Sequence, residues 1–280
     1  MLNWNEAVRQ SADLALLPQV LNEVPLGALP LSGGLTNRAW RVCTQSHGWV
    51  IWRANSPHCV VFDVCRSNES AVIENAHNLI DTNQVIAHSS QGLVLSWLEG
   101  EPLAAANQLE PILEALAKIH RTVPVTGIRQ FDYQRKVDHY WQQLKSADIK
   151  SHYTDMYQQY RTLPRLHCQE RVLCHFDFGV HNLLQTDRGL AVIDWEYAAV
   201  AAPTLDLVMT LDMLDVDIQT GLEIYQRYQP HIDFVAWQED MAIWQRHAQV
   251  MASLWYLLAA QVWNNDDFLN EANAIYQRFC

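Results

Sequence analysis

Positive charge is scarce in this chain: 19 Lys and Arg stand against 31 Asp and Glu, giving a net charge of −12 over 280 residues. Nucleic-acid binding relies on clustered Lys and Arg to neutralise phosphates, so no nucleic-acid partner is expected. Paired cysteines are also lacking. Cys43, Cys59, Cys65, Cys168, Cys174 and Cys280 form no C-x-x-C and keep no regular spacing, which removes the sequence signs of a zinc site or a disulfide framework and fits a reduced, cytoplasmic setting. Long apolar runs are missing, since the most apolar late stretch, Met251 to Trp263, is too short for a bilayer and is broken by Gln261. Glu6 and Asp13 near the start, with no basic segment and no small-residue cleavage site, give no sign of a signal peptide, and no membrane role is expected. There is no internal repeat and no low-complexity tract. What remains is a globular composition, 49% hydrophobic and 18% charged, sufficient for one large domain or two moderate ones.

The most informative stretch runs from Cys174 to Glu196. It holds His175, Asp177 and Asn182 in the spacing H-x-D-x-x-x-x-N, and then Asp194 at the end of the apolar run Leu190-Ala191-Val192-Ile193. This is the layout of a kinase catalytic loop followed by a metal-binding aspartate. The chemistry explains the residue types: a substrate hydroxyl needs a carboxylate to orient it and accept its proton, and nucleotide phosphates need magnesium held by hard oxygen ligands. Asp177 suits the first task, Asn182 and Asp194 the second. Leu183-Leu184 and Leu190 to Ile193 read as short strands joined by the turn-prone Thr186-Asp187-Arg188-Gly189. Such a hairpin brings Asn182 and Asp194 together. The alternative is a histidine and two acids that merely cap loops.

With H-x-D-x-x-x-x-N followed by Ile193-Asp194-Trp195-Glu196, the segment resembles the aminoglycoside phosphotransferase and choline kinase superfamily. Within it the chain is most similar to bacterial thiamine kinases and choline kinase-like proteins, through Ser32-Gly33-Gly34-Leu35-Thr36-Asn37 and Ile193 to Ala198. The resemblance covers nearly the whole chain and is strongest at the catalytic stretch. It implies an α+β, two-lobed protein-kinase-like fold, with a small antiparallel-sheet lobe over residues 1–96 that binds nucleotide and a larger, mainly helical lobe over 97–280 that carries catalysis and the acceptor. It also implies an ATP- and magnesium-dependent enzyme that phosphorylates the hydroxyl of a small alcohol. Thiamine is the first acceptor expected, with choline, ethanolamine, homoserine, a sugar or an aminoglycoside as alternatives. A nucleotide-binding regulator without catalysis would lack Asp177 or Asp194, and both are present.

The remaining candidates follow the chain. The Gly33-Gly34 turn lets backbone N–H groups approach phosphate, although such a pair is as often a simple turn. Arg53 ends the strand-like run Trp49 to Arg53 where a kinase carries its phosphate-pairing lysine, and it is otherwise a solvated strand-end charge. Its partner on the next helix is Glu69, which suits the family's R-x-x-E pattern, or else Glu74. Ser96 and Leu98 lie on the strand and loop that resemble the adenine-binding hinge. Leu109, Ile112, Leu113, Leu116 and Ile119 predict an amphipathic helix over 104–121, and Val137, Tyr140, Trp141 and Leu144 another over 132–147. Asp206 is expected either to hold the catalytic loop through backbone N–H groups or to be only a first-turn helix acid. Glu196 is a further candidate for the metal, directly or through another ligand, and His175 is expected to brace the loop and not to move a proton. Trp195, Trp255 and Tyr256 are candidates for an acceptor wall, because aromatic faces beside acids favour a cation. Oligomeric state is not legible.

Overall fold

The computed structural model describes residues 1–31, 39–103, 108–121, 127–145 and 149–279. The chain divides into two compact units. The first comprises Met1–Ala104, Val125–Ile128 and Val180–Ala198, and the second Ala105–Pro124, Arg129–Gly179 and Ala199–Cys280.

The first unit is built on a six-stranded antiparallel sheet in the order β1-β2-β3-β4-β6-β5, with β1 at Leu2–Asn3, β2 at Gly27–Pro30, β3 at Trp40–Cys43, β4 at Trp49–Ala54, β5 at Val85–Ser89 and β6 at Gly92–Ser96. Period-2 alternation turns Val42, Val50 and Trp52 to one face. The N-terminal helices cover that face: Ala7 of α1 (Trp4–Gln10), Leu14 of a 3-10 turn and Leu17 of α2 (Leu17–Leu21) form one apolar cluster with Ala28, Trp40, Val42, Val50, Trp52 and Val94. Helix α1 begins where the sequence tells it to, because Asn3 and Glu6 cap each other's backbone N–H groups. After α3 (Pro57–Val61), helix α4 (Arg66–Ala76) packs on β5 and β6.

The hairpin expected after Asn182 is present as β9 (Leu183–Thr186) and β10 (Gly189–Val192), with β7 (Glu101–Pro102) pairing on β9. Gly189 has φ +114, a conformation that disfavours side chains and supplies the reversal. Asp81 anchors the hairpin by accepting at its backbone oxygen from Val192 N–H (2.9 Å) and at its carboxylate from Arg188 (2.6 Å).

The second unit is mainly helical: α5 (Leu109–His120), α6 (Tyr133–Gln143), α7 (Ser151–Tyr160), α8 (Pro203–Met213), α9 (Ile218–Tyr228), α10 (Phe234–Trp263) and α11 (Asp266–Phe279), with β8 (Val172–Cys174) and β11 (Ala199–Ala201) paired antiparallel. The expected faces hold. Ile112, Leu113, Leu116 and Ile119 of α5 are buried, as are Val137 and Tyr140 of α6. The long helix α10, capped by Asp233 at its start and closed by left-handed Asn264, packs against α6, α7, α8, α9 and α11. Trp237 and Trp244 of α10 are core residues. Among the described residues no helix is long and apolar enough to cross a membrane.

Candidate active site

In the first unit, five charged side chains gather around the end of β4. Arg53 is buried, and its Nη1 lies 2.8 Å from Glu69 Oε1 and 2.8 Å from Asp194 Oδ1, while Nη2 lies 2.8 Å from Glu196 Oε2. Arg66, on the first turn of α4, donates from Nη1 to Glu69 and to Glu196 Oε2, the latter at 3.1 Å. Glu69 is therefore the partner of Arg53, and Glu74 is exposed. Two guanidinium groups and three carboxylates leave one excess negative charge. Burial alone lowers the Arg53 pKa, but Asp194, Glu69 and Glu196 together hold it well above its ordinary value. The Glu196 carboxyl is pushed above its ordinary value, first by burial and then by Asp194, against the pull of Arg53 and Arg66.

The hairpin brings Asn182 and Asp194 to its open end. Ile193 N–H donates to the Asn182 carbonyl at 3.0 Å, which places Asp194 one residue beyond the pair. Asp194 has φ +63, a left-handed conformation tolerated by Asp, and its side chain is 30% exposed, so the carboxylate is not spent on the core. Asn182 is buried.

In the second unit, β8 delivers the chain to His175-Phe176-Asp177, and Asp206 in the first turn of α8 receives it. Asp206 Oδ2 accepts from His175 N–H and Oδ1 from Phe176 N–H, each at 2.7 Å. Of its two readings in the sequence, Asp206 thus takes the role of loop holder. Burial raises its pKa, but the hydrogen bonds from His120 and from the His175 N–H bring it below the ordinary carboxylate value. His175 is fully buried, and its Nδ1 accepts from Asp177 N–H at 3.2 Å. Phe176 has φ +67, strained for a bulky residue and sustained by the two bonds to Asp206. Asp177 itself is half-buried.

Against curated protein sequences nothing matches the chain. The model of the phosphotransferase enzyme family matches residues 27–238. The chain belongs to the phosphotransferase enzyme family. Solved structures similar to this phosphotransferase include Plasmodium vivax ethanolamine kinase, at 15% identity over 98% of this chain and 88% of that one with a TM-score of 0.71. Choline kinase LicA from Streptococcus pneumoniae gives 19% identity, 96% of each chain and 0.70, and the gentamicin complex of APH(2")-IIa gives 13%, 95% of each chain and 0.68. At these identities the likeness establishes the α+β, protein-kinase-like fold. With the family assignment, the chain is a phosphotransferase enzyme.

The other expected site residues of this phosphotransferase fall as follows. Gly33 and Gly34 lie outside the described residues. Ser96 and Leu98 are half-buried, and Ser96 Oγ accepts from Gln84 N–H at 2.8 Å. Trp195 has no exposed surface, and its indole N–H donates to Thr82 Oγ1 at 2.9 Å, so it is a core residue of the first unit. Glu196, considered as a metal ligand, gives its Oε2 to both arginines. Trp255 and Tyr256 of α10 are half-buried in an aromatic group with Trp263 and Phe268, their own rings meeting edge to face at 5.1 Å. Burial, then the charges of Glu271, Asp177 and Asp212, raise the Tyr256 pKa.

Sequence reading passed over the roles of Arg66 and His120. Arg66 stands three residues before Glu69, an i, i+3 ion-pair spacing at the start of a helix whose next turns are buried. His120 falls seven residues after Leu113 and four after Leu116, which puts a polar ring on the apolar stripe of α5. A titratable group in that position demands partners.

Proposed function

We propose that the protein transfers the γ-phosphoryl group of ATP to the hydroxyl of a small, cationic alcohol, with thiamine, choline or ethanolamine as the acceptor class. The observation that carries this reading is in the second unit: Asp177 is held on a loop fixed by Asp206, and Trp255 and Tyr256 of α10 stand in an aromatic group with Trp263 and Phe268. A carboxylate beside ring faces suits an acceptor with a hydroxyl at one end and a positive charge at the other. The solved structures of an ethanolamine kinase and a choline kinase favour the amino-alcohol members of that class.

In this reading residues 1–96 form the nucleotide-binding lobe and 97–280 the catalytic and acceptor-binding lobe. Arg53 takes phosphate in this reading, its guanidinium fork being suited to phosphate oxygens. Gly33 and Gly34 offer backbone N–H groups to the phosphates, and Ser96 and Leu98 border the base. Asp194 and Asn182 suit magnesium, because a carboxylate and an amide oxygen at one hairpin end are the donors a hard cation takes. Magnesium bound there supplies neutralisation of the charge that develops on the phosphoryl oxygens. Glu69 and Glu196 keep Arg53 in place, and Arg66 bonds to both glutamates. Asp177 orients the acceptor hydroxyl for in-line attack and accepts its proton, acting mainly by position because the transition state is loose. His175 holds the Asp177 amide. Trp255 and Tyr256 cover the cation.

The test is ATP consumption with magnesium against thiamine, choline, ethanolamine, homoserine and an aminoglycoside, using the wild type and Asp177→Ala. One acceptor of the cationic class should be consumed with ATP, and the variant should lose roughly a hundred-fold or more in turnover. A panel on which every acceptor leaves ATP untouched, or a variant with wild-type turnover, defeats the reading.

A further inference from the structure

His120 closes the last turn of α5 and is buried, so both nitrogens of its ring must be satisfied inside the protein. They are. Nδ1 lies 2.6 Å from the Tyr225 hydroxyl of α9, and Nε2 lies 3.0 Å from Asp206 Oδ2 of α8. An ionised carboxylate can only accept, so Nε2 carries a proton and donates it; in the neutral ring Nδ1 then accepts, and Tyr225 is the donor. Burial, followed by the charges of Cys174 and Asp206, holds the Tyr225 pKa well above its ordinary value, so that hydroxyl keeps the proton it donates. A line of hydrogen bonds therefore runs from Tyr225 through His120 to Asp206, from Asp206 to the His175 and Phe176 amides, and from His175 Nδ1 to the amide of Asp177.

The ligating atoms of His120, Cys174 and Asp206 also lie within 4.8 Å of one another, as metal ligands would. Their bonding argues otherwise. Both ring nitrogens and both carboxylate oxygens are engaged with O–H and N–H groups, and Cys174 donates from Sγ to the Ala202 carbonyl at 3.7 Å. Burial pushes the Cys174 thiol well above its ordinary value, which keeps it the S–H donor of that bond. The trio is a hydrogen-bond hub.

We propose that His120 is a positioning residue for phosphoryl transfer: as its Nε2–H tautomer, fixed by Tyr225, it holds Asp206 in the orientation that keeps the His175 to Asp177 loop set for the acceptor hydroxyl. This rests on the phosphotransfer reading, because the set of the loop affects turnover only if Asp177 meets the acceptor. Without the Nε2 donor, Asp206 Oδ2 loses one of its two N–H partners, and the carboxylate is held only by the two amides it is meant to hold. The left-handed Phe176 is then no longer over-determined, and Asp177 shifts with it. Nucleotide contacts do not pass through this line, so ATP affinity is spared.

Three variants of the full chain test this. His120→Gln keeps a donor where Nε2 stands, His120→Leu removes it, and Tyr225→Phe removes the group that selects the tautomer. In protein labelled with ¹⁵N-histidine, His120 shows Nε2 protonated and Nδ1 bare, and Tyr225→Phe mixes the two tautomers. With the acceptor found on the panel above, His120→Leu lowers kcat roughly ten- to a hundred-fold, as displacement of a catalytic group by about an ångström does, with the KM for ATP within about twofold, and His120→Gln restores most of kcat. A wild-type ring protonated at Nδ1, an undiminished kcat in folded His120→Leu, or a His120→Gln variant no better than His120→Leu overturns the proposal. If no acceptor supports turnover, the phosphotransfer reading fails on its own. The tautomer spectra, with the exchange protection of the His175 and Phe176 amides in His120→Gln against Tyr225→Phe, still decide the brace: faster exchange in Tyr225→Phe supports it, and wild-type protection with an unmixed tautomer refutes it.

Discussion

Replacing Arg66 with Met tests the electrostatic logic of the first unit most sharply. The side chain is almost fully buried, and its Nη1 serves Glu69 and Glu196, the second at 3.1 Å. Met fills much of the same volume without charge. At an effective dielectric near 20 each of the two attractive pairs is worth roughly 4 to 5 kcal/mol before opposing effects. Against that stand the desolvation of a buried guanidinium and its repulsion with Arg53, the first and third influences on the Arg66 pKa. What removal of one partner of a buried ion pair leaves is roughly 3 to 5 kcal/mol of lost stability, because the carboxylates stay buried with less to balance them. The cluster goes from one excess negative charge to two. For a chain of this size the lower end of that range, about 3 kcal/mol, moves Tm by roughly 6 to 12 °C.

The pH dependence gives the sharper check. The folded pKa of Glu196 already lies above its ordinary value, and loss of Arg66 raises it further. A carboxyl whose pKa rises on folding costs stability as pH climbs from the unfolded pKa, near 4.3, to the folded one, at about 1.4 kcal/mol for each pH unit that separates the two. The deficit of Arg66→Met is therefore smaller at pH 5, nearer the unfolded pKa, than at pH 8. Adding Glu196→Gln removes the surplus charge and returns part of the loss. Urea titrations of the wild type, both single variants and the double variant at pH 5 and pH 8 measure all of this. An Arg66→Met protein with the wild-type urea midpoint, or with a deficit that does not grow toward pH 8, refutes the reasoning.

Asp206→Asn can accept from only one of the two amides that the carboxylate holds, so it should cost about 2 kcal/mol. Because the folded pKa of Asp206 is lowered, its contribution is fully present above the unfolded value near 3.9 and fades only as pH falls through the folded value, so the gap between the proteins is flat from pH 8 to pH 5 in denaturant titrations; a gap that closes in that range counts against it. Gly92→Ala should cost about 2 kcal/mol in thermal or urea unfolding, since Gly92 has φ +157 and a Cβ there would sit 2.5 Å from the Arg53 carbonyl oxygen and 2.9 Å from Ala54 Cα, neither able to retreat; a neutral result removes the case for close packing beside Arg53. Trp255→Leu should raise the KM for a cationic acceptor roughly three- to thirty-fold and leave the KM for ATP alone, and an unchanged acceptor KM dissociates the rings from the cation.

Sequence by itself determined what is local. Alternation and turn chemistry made the hairpin after Asn182 and the helical stripe of α5 readable, and the H-x-D-x-x-x-x-N spacing marked the loop. Arg53 was legible as a strand-end cation, because strand and charge are both matters of neighbouring residues. The tertiary structure decided how those pieces were spent. Only folding sets Glu196 beside Arg53 across 143 positions of chain, settles Glu69 over Glu74, and buries Trp195 with its indole on Thr82, 113 positions away. Asp206 looked equally suited to a helix dipole and to a loop, and the two amides it meets lie 31 and 30 positions earlier. His120 kept its meaning hidden longest: its partners are 86 and 105 residues away, and nothing local distinguishes a satisfied core histidine from one that orders a loop. Local propensity and periodicity act over a few residues, whereas charge pairing and hydrogen-bond satisfaction in the interior depend on which distant groups the packed core leaves within about 3 Å.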